Sequence, residues 1–160
     1  MSLYVKQASI KSKARSEVID DNRCVRWYIQ REGLPVSFNL GVYDTAGNKV
    51  AAITQKLTFN SRFDITVNGA RFATLNKVTT MLKPKYELEG VTWTLEGDFY
   101  MRNFKAYSQY GGLVMSQQTQ WYTSGDTYII DFSKPSEELY CLCVALAIDC
   151  ADANSYDFRH

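Results

Sequence analysis

Leu139-Tyr140-Cys141-Leu142-Cys143-Val144-Ala145-Leu146-Ala147-Ile148 is the stretch that decides the fold. It is apolar throughout and offers no polar face at any period. Upstream, Ser133-Lys134-Pro135-Ser136-Glu137-Glu138 places a proline at a first turn and two acids where the helix dipole favours them, which predicts a helix start. A helix that is apolar all round is buried all round, so the rest of the chain must wrap it. The run is about half the roughly 20 residues that a bilayer crossing needs, so it reads as a core pillar and not as a transmembrane segment. The expected pillar residues are Leu139, Leu142, Cys143, Val144, Leu146 and Ile148, closed by Asp149.

What wraps the helix is legible upstream as strands. In Phe63-Asp64-Ile65-Thr66-Val67-Asn68-Gly69-Ala70-Arg71-Phe72-Ala73-Thr74-Leu75, Asn68-Gly69 favours a two-residue type I′ turn. That turn pairs Val67 with Ala70 and Ile65 with Phe72 on one apolar face, and it turns Asp64, Thr66, Arg71 and Ala73 the other way. Further turn signals stand at Asp21-Asn22, Asp44-Thr45-Ala46-Gly47-Asn48, Glu89-Gly90, Tyr110-Gly111-Gly112 and Ser124-Gly125-Asp126, each between β-rich stretches. Two strands per unit give about a dozen. An antiparallel sheet of that size hides its edges by closing. The expectation is a mainly β, single-domain chain over 1–160: a closed antiparallel barrel of about twelve strands around a hydrophobic C-terminal helix.

Composition narrows the function classes. With 160 residues the chain fits one domain, and 18 Lys plus Arg against 17 Asp plus Glu leave a net charge of +1. So balanced a charge gives no long-range field toward nucleic acid or an anionic membrane, so any polyanion contact must be local, and nucleic acid is not an expected partner. Met1-Ser2-Leu3-Tyr4-Val5-Lys6 has no apolar stretch before its first charge, so no secretory signal is read, and the expected location is cytoplasmic.

The motifs run nearly end to end in the order of a known family. Leu3-Tyr4-Val5-Lys6-Gln7 opens the chain, and Asp44 to Gly47 leads into Val50-Ala51-Ala52-Ile53-Thr54-Gln55-Lys56-Leu57. Lys83-Pro84-Lys85-Tyr86, Trp93 to Leu95, Glu96-Gly97-Asp98-Phe99 and Gly125-Asp126-Thr127-Tyr128 follow, and Ala145-Leu146-Ala147-Ile148-Asp149 closes the set. In these residues the chain resembles the LURP-one-related (YxjI-like) family of the tubby C-terminal-like superfamily, which includes the phospholipid scramblases. The resemblance implies a twelve-stranded barrel threaded by a hydrophobic helix, with no known enzyme activity. It also implies lipid-linked or regulatory roles by analogy, since fold alone does not fix function. Met115-Ser116-Gln117-Gln118 stands where many relatives carry a lysine pair, which removes one phosphate contact.

No catalytic constellation, metal set or cofactor motif stands out. His160 is the single histidine and the last residue, a poor anchor for a relay. Cys141, Cys143 and Cys150 lack a CxxC pair or a histidine, and helical spacing turns Cys141 away from the other two, so core packing is the reading. Asp149 follows the apolar run at the expected helix end, where the dipole disfavours a carboxylate, so it needs a cation or several N–H donors. Lys11, Lys13 and Arg15 alternate and share a face in an extended strand, with Lys6 nearby and Lys83 and Lys85 as a second basic point. Lysines on a strand edge also guard against aggregation, which is the plain alternative.

The expected function is therefore a non-catalytic binding or interaction module. Its first version is peripheral attachment to anionic, phosphoinositide-like lipid head groups through Lys6, Lys11, Lys13, Arg15, Lys83 and Lys85. The alternative is a protein-interaction or regulatory scaffold using exposed aromatics such as Trp27, Trp121 or Tyr122. A third reading is a hydrolase using strand-end carboxylates such as Asp98, Asp126 and Asp131.

Overall fold

The computed structural model describes residues 1–6, 14–33, 39–56, 62–78, 84–120 and 127–158, with 153–158 by backbone alone. The strands are β1 (Ser2–Lys6), β2 (Ser16–Asp20), β3 (Val25–Glu32), β4 (Asn39–Tyr43), β5 (Lys49–Lys56) and β6 (Arg62–Val67). They continue as β7 (Ala70–Val78), β8 (Lys85–Glu89), β9 (Thr94–Asp98), β10 (Asn103–Tyr107), β11 (Leu113–Gln120) and β12 (Thr127–Phe132). A 3-10 turn, Pro135–Glu137, then leads into the helix α1 (Glu138–Phe158).

The twelve strands form one antiparallel sheet in the order β8-β7-β6-β5-β4-β3-β2-β1-β12-β11-β10-β9. Its two edge strands, β8 and β9, lie alongside each other without a hydrogen-bonded ladder, so the barrel is nearly closed with one seam. The inward face follows the alternation of the strands: Leu3 and Val5, Ile29, Leu40 and Val42, Phe63, Ile65 and Val67, Tyr128 and Ile130 are all buried. They close on α1, where every side chain from Cys141 to Ala151 is buried. Burying each large apolar side chain stabilises by about 1.5–3 kcal/mol, so helix and sheet hold one shared core.

The turns explain the local register. Asn68 (φ 52°) and Gly69 (φ 80°) adopt the expected left-handed pair, and Val67 faces Ala70. Beyond that the expected pairing shifts: Ile65 faces Ala73, because Phe72 is an extra residue bulged out of β7. Ala73 is thus buried instead of outward, and Phe72 packs edge-on against Trp93 and Tyr140 with ring centroids 5.4 and 4.7 Å away. At two other turns an aspartate makes the bend. Asp44 Oδ1 accepts from the N–H groups of Ala46 and Asn48, and Asp20 Oδ1 accepts from those of Asn22 and Cys24.

Two further expectations need correction. Glu89-Gly90 does not make a hairpin: β8 pairs with β7 and β9 with β10, and residues 90–93 cross the foot of the seam. The helix also runs well past Ile148, so Asp149 lies within it and not at its end. The buried length of the pillar, Cys141 to Ala151, outlasts the apolar run, and helical hydrogen bonding carries on beyond it.

Antiparallel alternation gives the barrel two distinct ends. Residues 21–24, 44–48, 68–69, 90–93 and 108–112 make tight connections at the end where α1 begins. The other end holds Lys6, the start of β2, the start of β8 and the turn 99–102; α1 runs toward it.

Candidate functional site

Where α1 nears the far end, its side chains change from apolar to acidic, and the barrel mouth changes with it. Asp149 is 2% exposed and Asp152 follows one helical turn later on the same face. Arg102, in the β9–β10 turn, reaches in between them: its Nη1 is 3.2 Å from Asp149 Oδ1 and its Nε 3.7 Å from Asp152 Oδ2. Tyr128 of β12 donates to Asp149 Oδ1 at 3.1 Å and is itself hydrogen-bonded to Arg102, whose guanidinium lies 5.5 Å from the Tyr128 ring. Tyr86 of β8 donates to Asp152 Oδ1 at 2.5 Å.

The partner expected for Asp149 is therefore Arg102, aided by Tyr128, and the need for it comes from burial and not from the helix end. Burial also pushes the Asp152 carboxyl up to about 6, against the lowering effects of the Tyr86 hydroxyl, Arg102 and Lys77. The Tyr86 hydroxyl is raised by its own burial and then by Asp152. Two acids share one cation here, and among the described residues no group of three or more His, Cys, Asp or Glu could hold a metal ion. The arrangement ties helix to sheet.

Three of the basic residues expected to meet an anion lie at this same end. Lys6 closes β1, Arg15 precedes β2 and Lys85 opens β8, and all three are exposed. They do not form one pocket: β1 and β8 stand several strands apart in either direction around the barrel. Lys11, Lys13 and Lys83 lie outside the described residues. Arg15 rests its guanidinium over two tyrosines, 4.7 Å from the Tyr43 ring centroid and 5.6 Å from that of Tyr28. On the same end the β9–β10 turn exposes Tyr100 (75%) and Met101 (42%), side chains that the sequence reading did not single out.

A second surface feature is an open groove of about 570 Å³ on the outer face of β9, β10 and β11. Glu96, Asn103, Lys105, Tyr107 and Gln118 line it. Lys105 sits between Glu96 and Ser116 in the cross-strand register. Exposed Tyr110 and Leu113 flank the opposite end of these strands.

Other candidates fall elsewhere. Trp27 is half-buried and not an exposed anchor; its Nε1 donates to Glu138 Oε2 at 2.9 Å, where Arg26 also pairs at 3.0 Å, fixing the first turn of α1 to β3. Trp121, Tyr122, Asp126 and His160 lie outside the described residues. Asp98 and Asp131 sit at opposite ends of the barrel, Asp98 capping the Met101 N–H and Asp131 bonded to Ser2, so they do not form a carboxylate pair. Of the pillar residues, Leu142, Cys143, Val144, Leu146, Ile148 and Asp149 are buried and Leu139 is half-buried. No helix among the described residues is long and apolar enough to cross a membrane.

Comparison with known proteins agrees with this architecture. A crystal structure of a protein from Arabidopsis thaliana superposes with a TM-score of 0.59 at 10% identity, covering 92% of this chain and 90% of that one, a likeness of fold. The uncharacterized protein YxjI of Bacillus subtilis is 23% identical over 158 residues, 98% of this chain and 97% of its own. The LURP-one-related family model matches residues 1–150, and the chain belongs to that family.

Proposed function

We propose that the protein is a non-catalytic binding module that sets the far end of its barrel against an anionic lipid surface. The observation that carries this reading is that exposed Lys6, Arg15 and Lys85 and exposed Tyr100 and Met101 all belong to one end. Cations at two separate points of a rim, Lys6 and Arg15 at neighbouring strands and Lys85 on β8, cannot converge on one small phosphate, but a plane of head groups meets both at once. Tyr100 and Met101 then supply the apolar contact that electrostatic attraction alone lacks. The helix fills the barrel, which supports an outer surface and not an interior cavity as the place of recognition.

Co-sedimentation with phosphatidylcholine vesicles, with and without phosphatidylserine, tests the reading. Pelleting is expected only with the anionic vesicles, weakening as salt rises and falling further in a Lys6→Glu/Arg15→Glu/Lys85→Glu variant. Equal, negligible pelleting with both vesicles would overturn it.

A second reading is a protein-interaction scaffold, supported by the groove over β9–β11 with exposed apolar side chains near both of its ends. Its test is panning of a displayed peptide library on the wild type, counter-selected on a Lys105→Glu/Tyr107→Ala variant. Recovery of a shared motif that binds the wild type and not the variant supports it, and no enriched motif rules it out.

A further inference from the structure

The seam, a strained turn and the buried ion pair meet in one hairpin. Among the described residues β9 has a backbone ladder on its β10 side only, and across the seam β8 offers none. Widening the seam therefore breaks no regular backbone pairing. The hairpin itself is tight: a Cβ at Gly97 (φ 142°) would run into the backbone at Asn103 O and Phe104 Cα, so β9 and β10 move together or not at all.

Along its other edge the hairpin is laddered to β11, which leaves β10–β11 as the hinge, and what holds its free side down is its turn. Arg102 sits there at φ 60°, a left-handed conformation that favours glycine, with its N–H 3.1 Å from Phe99 O. Its carbonyl accepts from Gln117 Nε2 at 3.3 Å, and its guanidinium bridges Asp149 and Asp152. From the other side of the seam Tyr86 holds the same Asp152, and its ring meets Phe99 edge-on at 5.3 Å. Tyr86, Asp152 and Arg102 thus span the seam where a ladder is missing. A side-chain chain of this kind is local and can open without the core unfolding.

We propose that the β9–β10 hairpin is a latched flap, that Arg102 is its latch, and that its opening uncovers the aromatic layer of Tyr86, Phe99 and Phe104 while β1–β7 and α1 stay folded. The flap needs no partner to exist, and its test is independent of lipid or peptide binding.

Leu95, on β9, is 4% exposed and serves as a reporter when replaced by cysteine. Labelling of Leu95→Cys with a maleimide, read by peptide mapping, is compared with labelling of native Cys143, which is fully buried on α1 and reports global unfolding. Leu95→Cys should label faster than Cys143, and adding Arg102→Met should raise its rate about tenfold or more, with Cys143 remaining the slower of the two. Should Arg102→Met fail to fold, Arg102→Lys, which keeps the charge but not the two-carboxylate bridge, should give a smaller rise in the same direction. Equal labelling rates at the two positions, or a rise at Cys143 with none at Leu95→Cys, would overturn the flap.

Discussion

Arg102 Nη1 stands 3.2 Å from Asp149 Oδ1, and through that contact a surface turn of the sheet grips the core helix. The carboxylate is 2% exposed, so removing the guanidinium leaves it in a poor solvent, whereas Arg102 without Asp149 still has Asp152.

Arg102→Met should cost about 3–5 kcal/mol in urea denaturation at neutral pH, and Asp149→Ala should cost less, since Arg102 keeps Asp152. The double variant should cost clearly less than the sum, because the second deletion no longer strands a buried charge. Additive losses would mean that the two side chains are held by separate partners.

Asp152 gives the chain an unusual pH dependence. Burial raises its carboxyl from 3.8 to about 6, so between those values the folded state holds a proton that the unfolded state releases. The stability it contributes is fully present below about 3.8 and is lost as pH rises through about 6. Relative to Asp152→Asn, the wild type should therefore lose on the order of 2–3 kcal/mol between pH 4 and pH 7. Thermal melts of both proteins across that range measure it. A wild type that gains on the variant as pH rises would show that the pairing with Arg102 outweighs burial.

How much of this could be read from the residues differs by element, for physical reasons. Asn68-Gly69 dictates its own turn through local backbone preference, and the apolar run 139–148 dictates burial, so both were legible. Glu89-Gly90 carries the same local signal as a hairpin, yet the strands beside it pair outward, because closure of the sheet is settled by strands far away in the chain. The bulge at Phe72 is decided by its ring fitting between Trp93 and Tyr140, a tertiary contact with no local mark. Asp149 announced its need for a partner, but Arg102, 47 positions upstream in an ordinary turn, carries no signal of being that partner. The Asp149-x-x-Asp152 spacing was the available clue, since it puts two acids on one face of a buried helix.

Gly97→Ala tests the close approach of β9 to β10. An added Cβ meets backbone atoms of Asn103 and Phe104, which cannot swing aside as a long side chain can, and the residue's φ of 142° already disfavours alanine. A loss of about 2 kcal/mol or more is expected, in contrast to Gly69→Ala, whose Cβ meets nothing and pays only for its φ. Chemical denaturation of the two variants side by side checks the ranking.

Val144→Asp places a charge in the middle of the pillar, where α1 has no solvated side to receive it and Val144 is fully buried. The expected outcome is a chain that fails to fold, since several kcal/mol is a large part of a domain's stability. Val144→Ala, which removes only two methyl groups, should fold with a loss of about 1–3 kcal/mol. A stable, cooperative Val144→Asp variant would place the helix on the surface.

Thiol titration reads the same pillar without mutation. Cys24 is exposed in the turn after β2, while Cys141, Cys143 and Cys150 are buried. Burial pushes the Cys141 thiol up to about 12, with Glu137 and Glu138 adding to it, and it raises Cys143 and Cys150 as well. A thiolate is the reacting form, so these three are protected both by access and by protonation. With an aromatic disulfide reagent at neutral pH, one thiol should react at once and three only as fast as the protein unfolds, all four becoming equivalent in guanidinium chloride. Fast reaction of a second thiol in the native state would mean that α1 leaves the barrel, or that the seam opens deeply enough to bare it.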